Sequence, residues 1–461
     1  MAAGIVSYGA YLPSHCLDRG TIRSTLGQGG GSGTRAVAAF DQDSTALGVE
    51  AARAARWNGS LAPASLHFAT TAPAYVDKTN ATAVHAALGL DRDVFAADHG
   101  GSIRSGISAL RAAAAEGGLA VLADIRTGRP GSADEAGGGD GAAAFLFGDG
   151  DDVLAQVAAR ASLTEEFLDR WRAPGEIASS TWEERFGLGV YLPMVEEVAR
   201  RALAAASVAA PDYVVVASPH PRVAASVGKA FGHSDRIEPA AGNLGAAHAG
   251  VALAEALDGA EPGQAILVLS AADGADAIVL RTTSAIASRR PSRVLQSFAN
   301  AAEVDYAAFL TWRGVLHREP PRRPDPLRPE GPPAHREAAW KYAFTASRCT
   351  RCERVHLPPQ RVCARCGATD TMARHPMADR PGTISTYTVD RLAYSLSPPS
   401  ISAAIDFDGG GRFSCELTDC APEDVAVGMR VEMTFRRMYT AQGVHNYFWK
   451  ARPAMEDRDG Q

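Results

Sequence analysis

From Leu17 to Arg348 the 461-residue sequence contains no cysteine; its seven are Cys16, Cys349, Cys352, Cys363, Cys366, Cys415 and Cys420. That gap excludes a disulfide framework over most of the chain, and four thiols bunched within eighteen residues suit a metal in a reducing compartment better. No apolar run reaches the roughly 18–20 residues that a membrane-crossing helix requires. The opening Met-Ala-Ala-Gly-Ile-Val has neither the basic segment nor the apolar core of a secretory signal. Lys and Arg number 46 against 52 Asp and Glu, a formal charge of −6, so there is no basic surplus to draw in nucleic acid. A cytoplasmic protein without membrane attachment is expected. At 46% hydrophobic and 21% charged, the chain is too long for one ordinary domain and apolar enough to bury a large core.

Composition shifts near residue 318, where Glu319-Pro320-Pro321-Arg322-Arg323-Pro324-Asp325-Pro326 and Pro329 to Pro333 read as an extended linker rather than a helix interior or central strand. Upstream, helical and strand-like segments alternate, which predicts an α/β body. Ser44 to Trp57 reads as a helix capped by Asp43 or Ser44, followed by a strand at Leu66 to Thr70, a helix at Ser105 to Glu116 and a strand at Leu119 to Ala123. About 145 residues later the order recurs: helix Leu192 to Ala206, strand Tyr213 to Ala217, helix Ala246 to Leu257 and strand Ala265 to Leu269. Glycine-rich hairpins at Gly137 to Gly148 and Asp273 to Leu280 are expected to close the halves. The spacing predicts a duplicated body over 1–285 with halves of about 1–157 and 158–285, then a linker and helix over 286–345, a Cys-rich module over 346–380 and a β-rich module over 381–461.

Particular residues carry a resemblance. Gly4-Ile5-Val6-Ser7-Tyr8-Gly9-Ala10-Tyr11-Leu12-Pro13, the run Asp41-Gln42-Asp43-Ser44-Thr45-Ala46-Leu47-Gly48-Val49-Glu50, Tyr75-Val76-Asp77-Lys78, Ala96-Ala97-Asp98, Tyr213-Val214-Val215 and Gly242-Asn243 together resemble 3-hydroxy-3-methylglutaryl-CoA synthases. These belong to the thiolase superfamily, beside ketoacyl synthase III. The resemblance implies the five-layered thiolase fold, acyl-CoA substrates and a homodimer paired through the central sheet.

It also implies three catalytic groups, and none stands where it should. The family's nucleophilic cysteine falls on Ile103, its acid/base glutamate on Thr71 and its histidine on Ala217. Acyl transfer to an enzyme needs a group that becomes a nucleophile near neutral pH, and an isoleucine offers none. Ser102, one residue away, is a poor nucleophile without an adjacent base. Asn243 matches an asparagine that in the family helps bind the thioester carbonyl, and also reads as a turn residue. His220, His99 and His248 lie in or near loops expected to face the same region, most plainly as ordinary histidines.

Cys349-Thr350-Arg351-Cys352 and Cys363-Ala364-Arg365-Cys366 have zinc-ribbon spacing, in which two knuckles supply four thiolates and leave no open coordination position. A structural Zn2+ is therefore expected. Five strand-like runs follow, Gly382 to Val389, Ser402 to Asp406, Arg412 to Leu417, Met429 to Arg436 and Asn446 to Lys450, as in a small barrel of the OB type. With Trp340, Pro358-Pro359 and Gly428-Met429-Arg430-Val431, the module resembles the zinc-ribbon/OB family associated with acyl-CoA and thiolases. Cys415 and Cys420 read as small residues in or beside a strand. Tyr387, Phe407, Phe435, Tyr447, Phe448 and Trp449 could stack bases, but no basic groove accompanies them, and nucleic-acid binding is not expected.

The functional expectation is an auxiliary, catalytically degenerate subunit that binds or channels acyl-CoA thioesters and docks a thiolase-like partner. Its alternative is a cysteine-independent aldol or retro-aldol lyase, or an acyltransferase, using Asn243, His220 and Ser102.

Overall fold

The computed structural model describes residues 4–56, 62–232, 235–322, 324 and 326–454. It resolves into two compact units: Met1–Ala39 with Asp43–His85 and Leu90–Phe309, and Phe40–Gln42 with Ala86–Gly89 and Leu310–Gln461. No helix among the described residues is long and apolar enough to cross a membrane.

Unit 1 is built on nine strands: β1 (Gly4–Tyr11), β2 (Ser65–Ala69), β3 (Phe95–His99), β4 (Leu119–Asp124), β5 (Gly141–Gly148), β6 (Ala155–Leu163), β7 (Tyr213–Ala217), β8 (Ala265–Ala271) and β9 (Ala275–Thr282). Their order, β7-β8-β9-β6-β1-β5-β4-β2-β3, shows the duplication directly. Each half carries a parallel pair, β2 beside β4 and β7 beside β8, and each runs through antiparallel partners to the β1–β6 junction. Strand β3 closes the first half as an edge and has no counterpart in the second.

Five layers follow from which faces are apolar. Helices α1 (Ser44–Ala54) and α3 (Glu184–Ala205) cover the outer faces of the two halves, while α2 (Ser105–Glu116) and α5 (His248–Gly259) are sandwiched between them; α4 (Pro221–Phe231) follows β7. Ile107, Leu110, Leu122, Phe145, Leu253 and Val268 share one core there. The middle layer is close-packed because glycines permit it. A Cβ on Gly106 would stand 2.2 Å from the Ala246 carbonyl oxygen, and one on Gly250 2.9 Å from Ala143.

Several element limits differ from the sequence reading. Helix α1 stops at Ala54, with the Asp43 side chain accepting from the Ala46 N–H; Trp57 lies outside the described residues. Helix α3 begins at Glu184, eight residues before the expected Leu192, and carries Pro193 inside it. Burial of Gly187, Tyr191 and Met194 against the sheet outweighs the hydrogen bond that the proline forgoes. The segment Gly137–Gly148 is not a hairpin: it supplies one strand, while Gly138 bridges to Asn243. The expected helix from Ala246 is split into a 3-10 turn, Gly245–Ala247, and α5.

In unit 2, β10 (Thr345–Cys349), β11 (Val355–His356) and β12 (Met372–Pro376) form a three-stranded ribbon, and β13 (Gly382–Asp390), β14 (Ser400–Phe407), β15 (Arg412–Leu417), β16 (Arg430–Ala441) and β17 (Val444–Pro453) close a barrel in the order β13-β14-β15-β17-β16. Within the Pro-rich stretch, Gly331–Arg336 is a short helix whose prolines occupy its first turn, where no N–H is needed. The barrel interior is aromatic. Phe407, Phe435, Tyr447 and Trp449 are buried, and Trp340 stacks on Phe344 with ring centroids 5.0 Å apart and meets Phe448 edge-on at 5.3 Å. These rings fill the core rather than line an open groove.

Candidate functional site

Unit 1 gathers loops from both halves at the ends of β2, β4 and β7. Asp124, the fully buried last residue of β4, organises them. Its Oδ1 accepts from the Thr71 N–H at 3.1 Å, the Thr71 hydroxyl at 2.9 Å and the Ile125 N–H at 3.2 Å. Its Oδ2 lies 2.7 Å from the Thr71 hydroxyl and accepts from the Ala246 N–H of the second half at 2.9 Å. Gly245 takes φ +58°, and a Cβ there would sit 2.0 Å from Asp124 Oδ2. Only glycine lets the second half approach so closely. Arg126 donates to the Thr71 hydroxyl at 3.3 Å, and Arg172 donates to the Thr71 carbonyl.

Thr71, where the family resemblance puts a carboxylate, is thus a hydroxyl pinned to a buried carboxylate behind it. Asp124 escaped the sequence reading; its one signal was an acid ending an otherwise apolar strand, Leu119-Ala120-Val121-Leu122-Ala123. Ile103, where the family resemblance puts the nucleophile, is 6% exposed, and Ala217, where it puts the histidine, is buried at the end of β7.

Asn243 and His220 come together through Ser218. The Asn243 amide donates to the Ser218 carbonyl at 2.8 Å, and its Oδ1 accepts from the Gly245 N–H at 3.1 Å. Both ends of the side chain therefore hold the turn. The His220 N–H donates to Ser218 Oγ at 3.1 Å. His220 Nε2 donates to the Glu184 carbonyl at 2.8 Å, and its Nδ1 is buried with no hydrogen-bond partner among the described residues. Gly187 allows this: a Cβ there would lie 2.5 Å from Asp169 Oδ1 and 3.0 Å from His220 Cδ2. Burial pushes the Asp169 carboxyl up, while His220 opposes the rise.

Ser102 is not hydrogen-bonded to either residue among the described residues; its Oγ accepts from the Arg104 N–H at 3.3 Å. It lines a separate cavity of about 390 Å³, with His99, Arg104, Ser108, Arg111 and Asp276. Arg104 grips Asp276 of β9 through Nε at 2.8 Å and Nη2 at 3.3 Å, tying the loop before α2 to the second half. His248 is fully buried at the start of α5, where Nδ1 accepts from the Leu244 N–H at 3.3 Å and Nε2 meets Asp235 at 2.7 Å.

In unit 2 the four ribbon cysteines converge, with all sulfurs within 4.8 Å of one another. Cys349 and Cys366 are 3.7 Å apart, Cys352 and Cys363 3.5 Å. Four thiolates at Zn–S distances near 2.3 Å stand about 3.8 Å apart in a tetrahedron, so the donor set fits. Each knuckle turns back on itself: the Glu353 N–H donates to the Cys349 carbonyl and the Gly367 N–H to that of Cys363, both at 2.9 Å and both with φ above +60°. The Cys352 N–H points at Cys349 Sγ and lowers that thiol to about 6, and the Cys366 N–H lowers Cys363 likewise. Cys415 lies in β15, where burial pushes its thiol up to about 12.

Residues 336–371 match the family described as ChsH2, rubredoxin-like zinc ribbon domain, and 375–436 match ChsH2, C-terminal OB-fold domain. Hydroxymethylglutaryl-CoA synthase from Archaeoglobus fulgidus is 31% identical over 338 residues, covering 67% of this chain and 98% of that protein. The enzyme of the same name from Thermoplasma volcanium is 27% identical over 341 residues, covering 68% and 97%. Among solved structures, an HMG-CoA synthase complexed with CoA superposes with a TM-score of 0.59 at 15% identity, covering 67% of this chain and 89% of that one. 3-Oxoacyl-(acyl carrier protein) synthase III from Pseudomonas aeruginosa gives 0.55 at 21% identity, covering 61% and 99%. Because the likeness to the Archaeoglobus enzyme runs over nearly its whole length, and the folded halves superpose on the same architecture, the chain belongs to the hydroxymethylglutaryl-CoA synthase family, joined here to a ChsH2-type zinc ribbon and OB barrel.

Proposed function

We propose that this chain is an auxiliary member of its family that binds or passes acyl-CoA thioesters without condensing them, and docks a thiolase-like partner. The observation that carries the reading is the buried Ile103 side chain where the resemblance places the acyl-carrying sulfur. Its companions agree: Thr71 is committed to Asp124, and Ala217 has no proton to give. A relative's structure holding CoA supports a CoA ligand, and the ChsH2-type module supports assembly with a partner. Domain limits of 1–285, 286–345, 346–380 and 381–461 belong to the same reading. So does a structural Zn2+ on Cys349, Cys352, Cys363 and Cys366, which would supply the ribbon with a crosslink that its small apolar core does not. Edge strand β3, with Phe95 61% exposed, is the surface through which a homodimer would extend the sheet.

The test is incubation of the full chain with labelled acetyl-CoA, followed by tryptic mapping. The reading expects CoA binding by calorimetry and no acetyl group on the peptide 93–104, which contains Ser102 and Ile103. An adduct there, or formation of a condensed 3-hydroxy-3-methylglutaryl-CoA product on adding acetoacetyl-CoA, overturns it. Co-purification with a thiolase-like protein that retains its cysteine is the expected partner result.

One observation favours the alternative lyase or acyltransferase. His220 Nδ1 is buried with no hydrogen-bond partner among the described residues, and both His220 and Asn243 bond to Ser218. Cleavage of a β-hydroxyacyl-CoA by the purified chain, lost in His220→Ala and in Asn243→Ala, would establish it; Ser102→Ala tests the third residue of that set.

A further inference from the structure

From His99 and Ser108 in the cavity that Ser102 lines, a chain of hydrogen bonds runs on that neither the family positions nor the function above employs. Ser108 Oγ lies 2.9 Å from His99 Nδ1. His99 Nε2 lies 3.0 Å from His67 Nδ1. His67 Nε2 lies 3.2 Å from Glu116 Oε2 and 3.0 Å from Ser65 Oγ. His67 is 3% exposed on β2, His99 ends β3, and Ser108 and Glu116 stand two turns apart on α2.

The carboxylate sets the direction of every proton in this chain. Glu116 accepts only, so His67 Nε2 carries a hydrogen, and with one hydrogen per ring Nδ1 is the lone pair. His99 must then carry its hydrogen on Nε2, which leaves Nδ1 to accept from the Ser108 hydroxyl. A helical serine ordinarily returns its hydroxyl to its own backbone; this one is aimed at a neutral imidazole. Burial, the largest influence, holds the His99 ring below its ordinary range, which favours the neutral imidazole that Ser108 faces. Hydrogen bonds from Ser65 and His67 keep Glu116 ionised well below neutrality. Nucleophile to base, base to orienting group and orienting group to carboxylate are the contacts that activate a serine. Arg111, one turn beyond Ser108 on the same helix face, lines the same cavity.

We propose that Ser108 is a nucleophile for activated acyl groups, esters or thioesters, with His99 as its base and His67 and Glu116 as positioning residues. The Ser108 Oγ–H proton passes to His99 Nδ1 as Oγ bonds to the acyl carbon, and Arg111, whose Nη1 also meets Ser162 Oγ and Asp276 Oδ1, supplies positive charge to the same cavity as the carbonyl oxygen gains charge. The C–S or C–O bond then breaks, and the leaving thiolate or alkoxide takes the proton from His99. Water then gives a proton to the same nitrogen as its oxygen bonds to the acyl carbon; the C–Oγ bond breaks, Ser108 Oγ takes that proton back, and the carboxylic acid leaves.

The test is a fluorophosphonate probe on the full chain in its native oligomeric state, mapped after trypsin. Probe attachment forms the Oγ–P bond and expels fluoride. The proposal expects label on the peptide 105–111, its loss in Ser108→Ala, and a fall of about 100-fold in labelling rate in His99→Gln. Glu116→Gln is expected to lower the pH of half-maximal labelling, since removing that charge destabilises the imidazolium. The other titratable and charged groups facing His99, namely His67, Asp98, Arg104, Arg111 and Asp276, are unchanged in that variant. Native chain without label on 105–111, label that survives Ser108→Ala, or a rate within twofold in His99→Gln overturns it.

Discussion

Replacing Asp124 by asparagine tests whether one buried carboxylate joins the two halves of unit 1. The substitution keeps the shape and exchanges one acceptor for a donor. If the amide nitrogen takes the Oδ2 position it faces the Ala246 N–H; if it takes Oδ1 it faces the N–H groups of Thr71 and Ile125. Either way a buried donor meets a donor. Losing a hydrogen bond to a charged acceptor costs about 1.5–3 kcal/mol, and an orphaned buried N–H costs about 1–3 more. A total of about 3–5 kcal/mol is expected, which at about 2 °C per kcal/mol for a large unit lowers its melting point by roughly 6–10 °C. Scanning calorimetry on the full chain reads the unit 1 transition separately from that of unit 2. Amide exchange at Thr71, Ile125 and Ala246 should accelerate together. Thr71→Val removes only the hydroxyl and should cost about 1.5–3 kcal/mol, and the double variant should fall short of the sum because both act on one network. A melting point unchanged in Asp124→Asn, with exchange at those three amides unaltered, refutes the claim that Asp124 holds the halves together.

Chelation of the full chain should remove one Zn2+ per polypeptide, measured by mass spectrometry, and selectively unprotect amides of 345–376; Cys363→Ser should do the same without chelator. Asp41, grouped with unit 2, accepts from Arg436 at 3.1 Å and Lys450 at 2.9 Å. Burial would raise its carboxyl, but Arg436 and Lys450 bring it down to about 2 from an ordinary 3.8. Its stabilisation is therefore full above the ordinary value and lost as pH falls from about 4 toward 2, a window read by acid titration of Trp340 and Trp449 fluorescence. Asp41→Asn should flatten that acid limb and cost about 3–5 kcal/mol at neutral pH, since it leaves buried cations unpaired. Gly106→Ala should melt at lower temperature by about 1–3 kcal/mol of overpacking, because its methyl would press on the Ala246 carbonyl; an unchanged midpoint would show that the middle layer yields freely.

The sequence by itself determined what local chemistry and periodicity encode. Strand Tyr213–Ala217 and helix Ser105–Glu116 were legible to the residue because their apolar spacing and bounding residues are local properties. The ribbon cysteines were legible because a knuckle fixes its ligands within four residues. What only the tertiary structure decided are the relations between distant residues. Pro193 sits inside a helix because the sheet rewards burial there, and Asp124 gains its meaning from an N–H 122 positions away. Ser108, His99, His67 and Glu116 form one proton chain only because β2 and β3 run parallel beneath α2. Such contacts have no period and no fixed spacing along the chain, so they exist only once the sheet has brought its strands together.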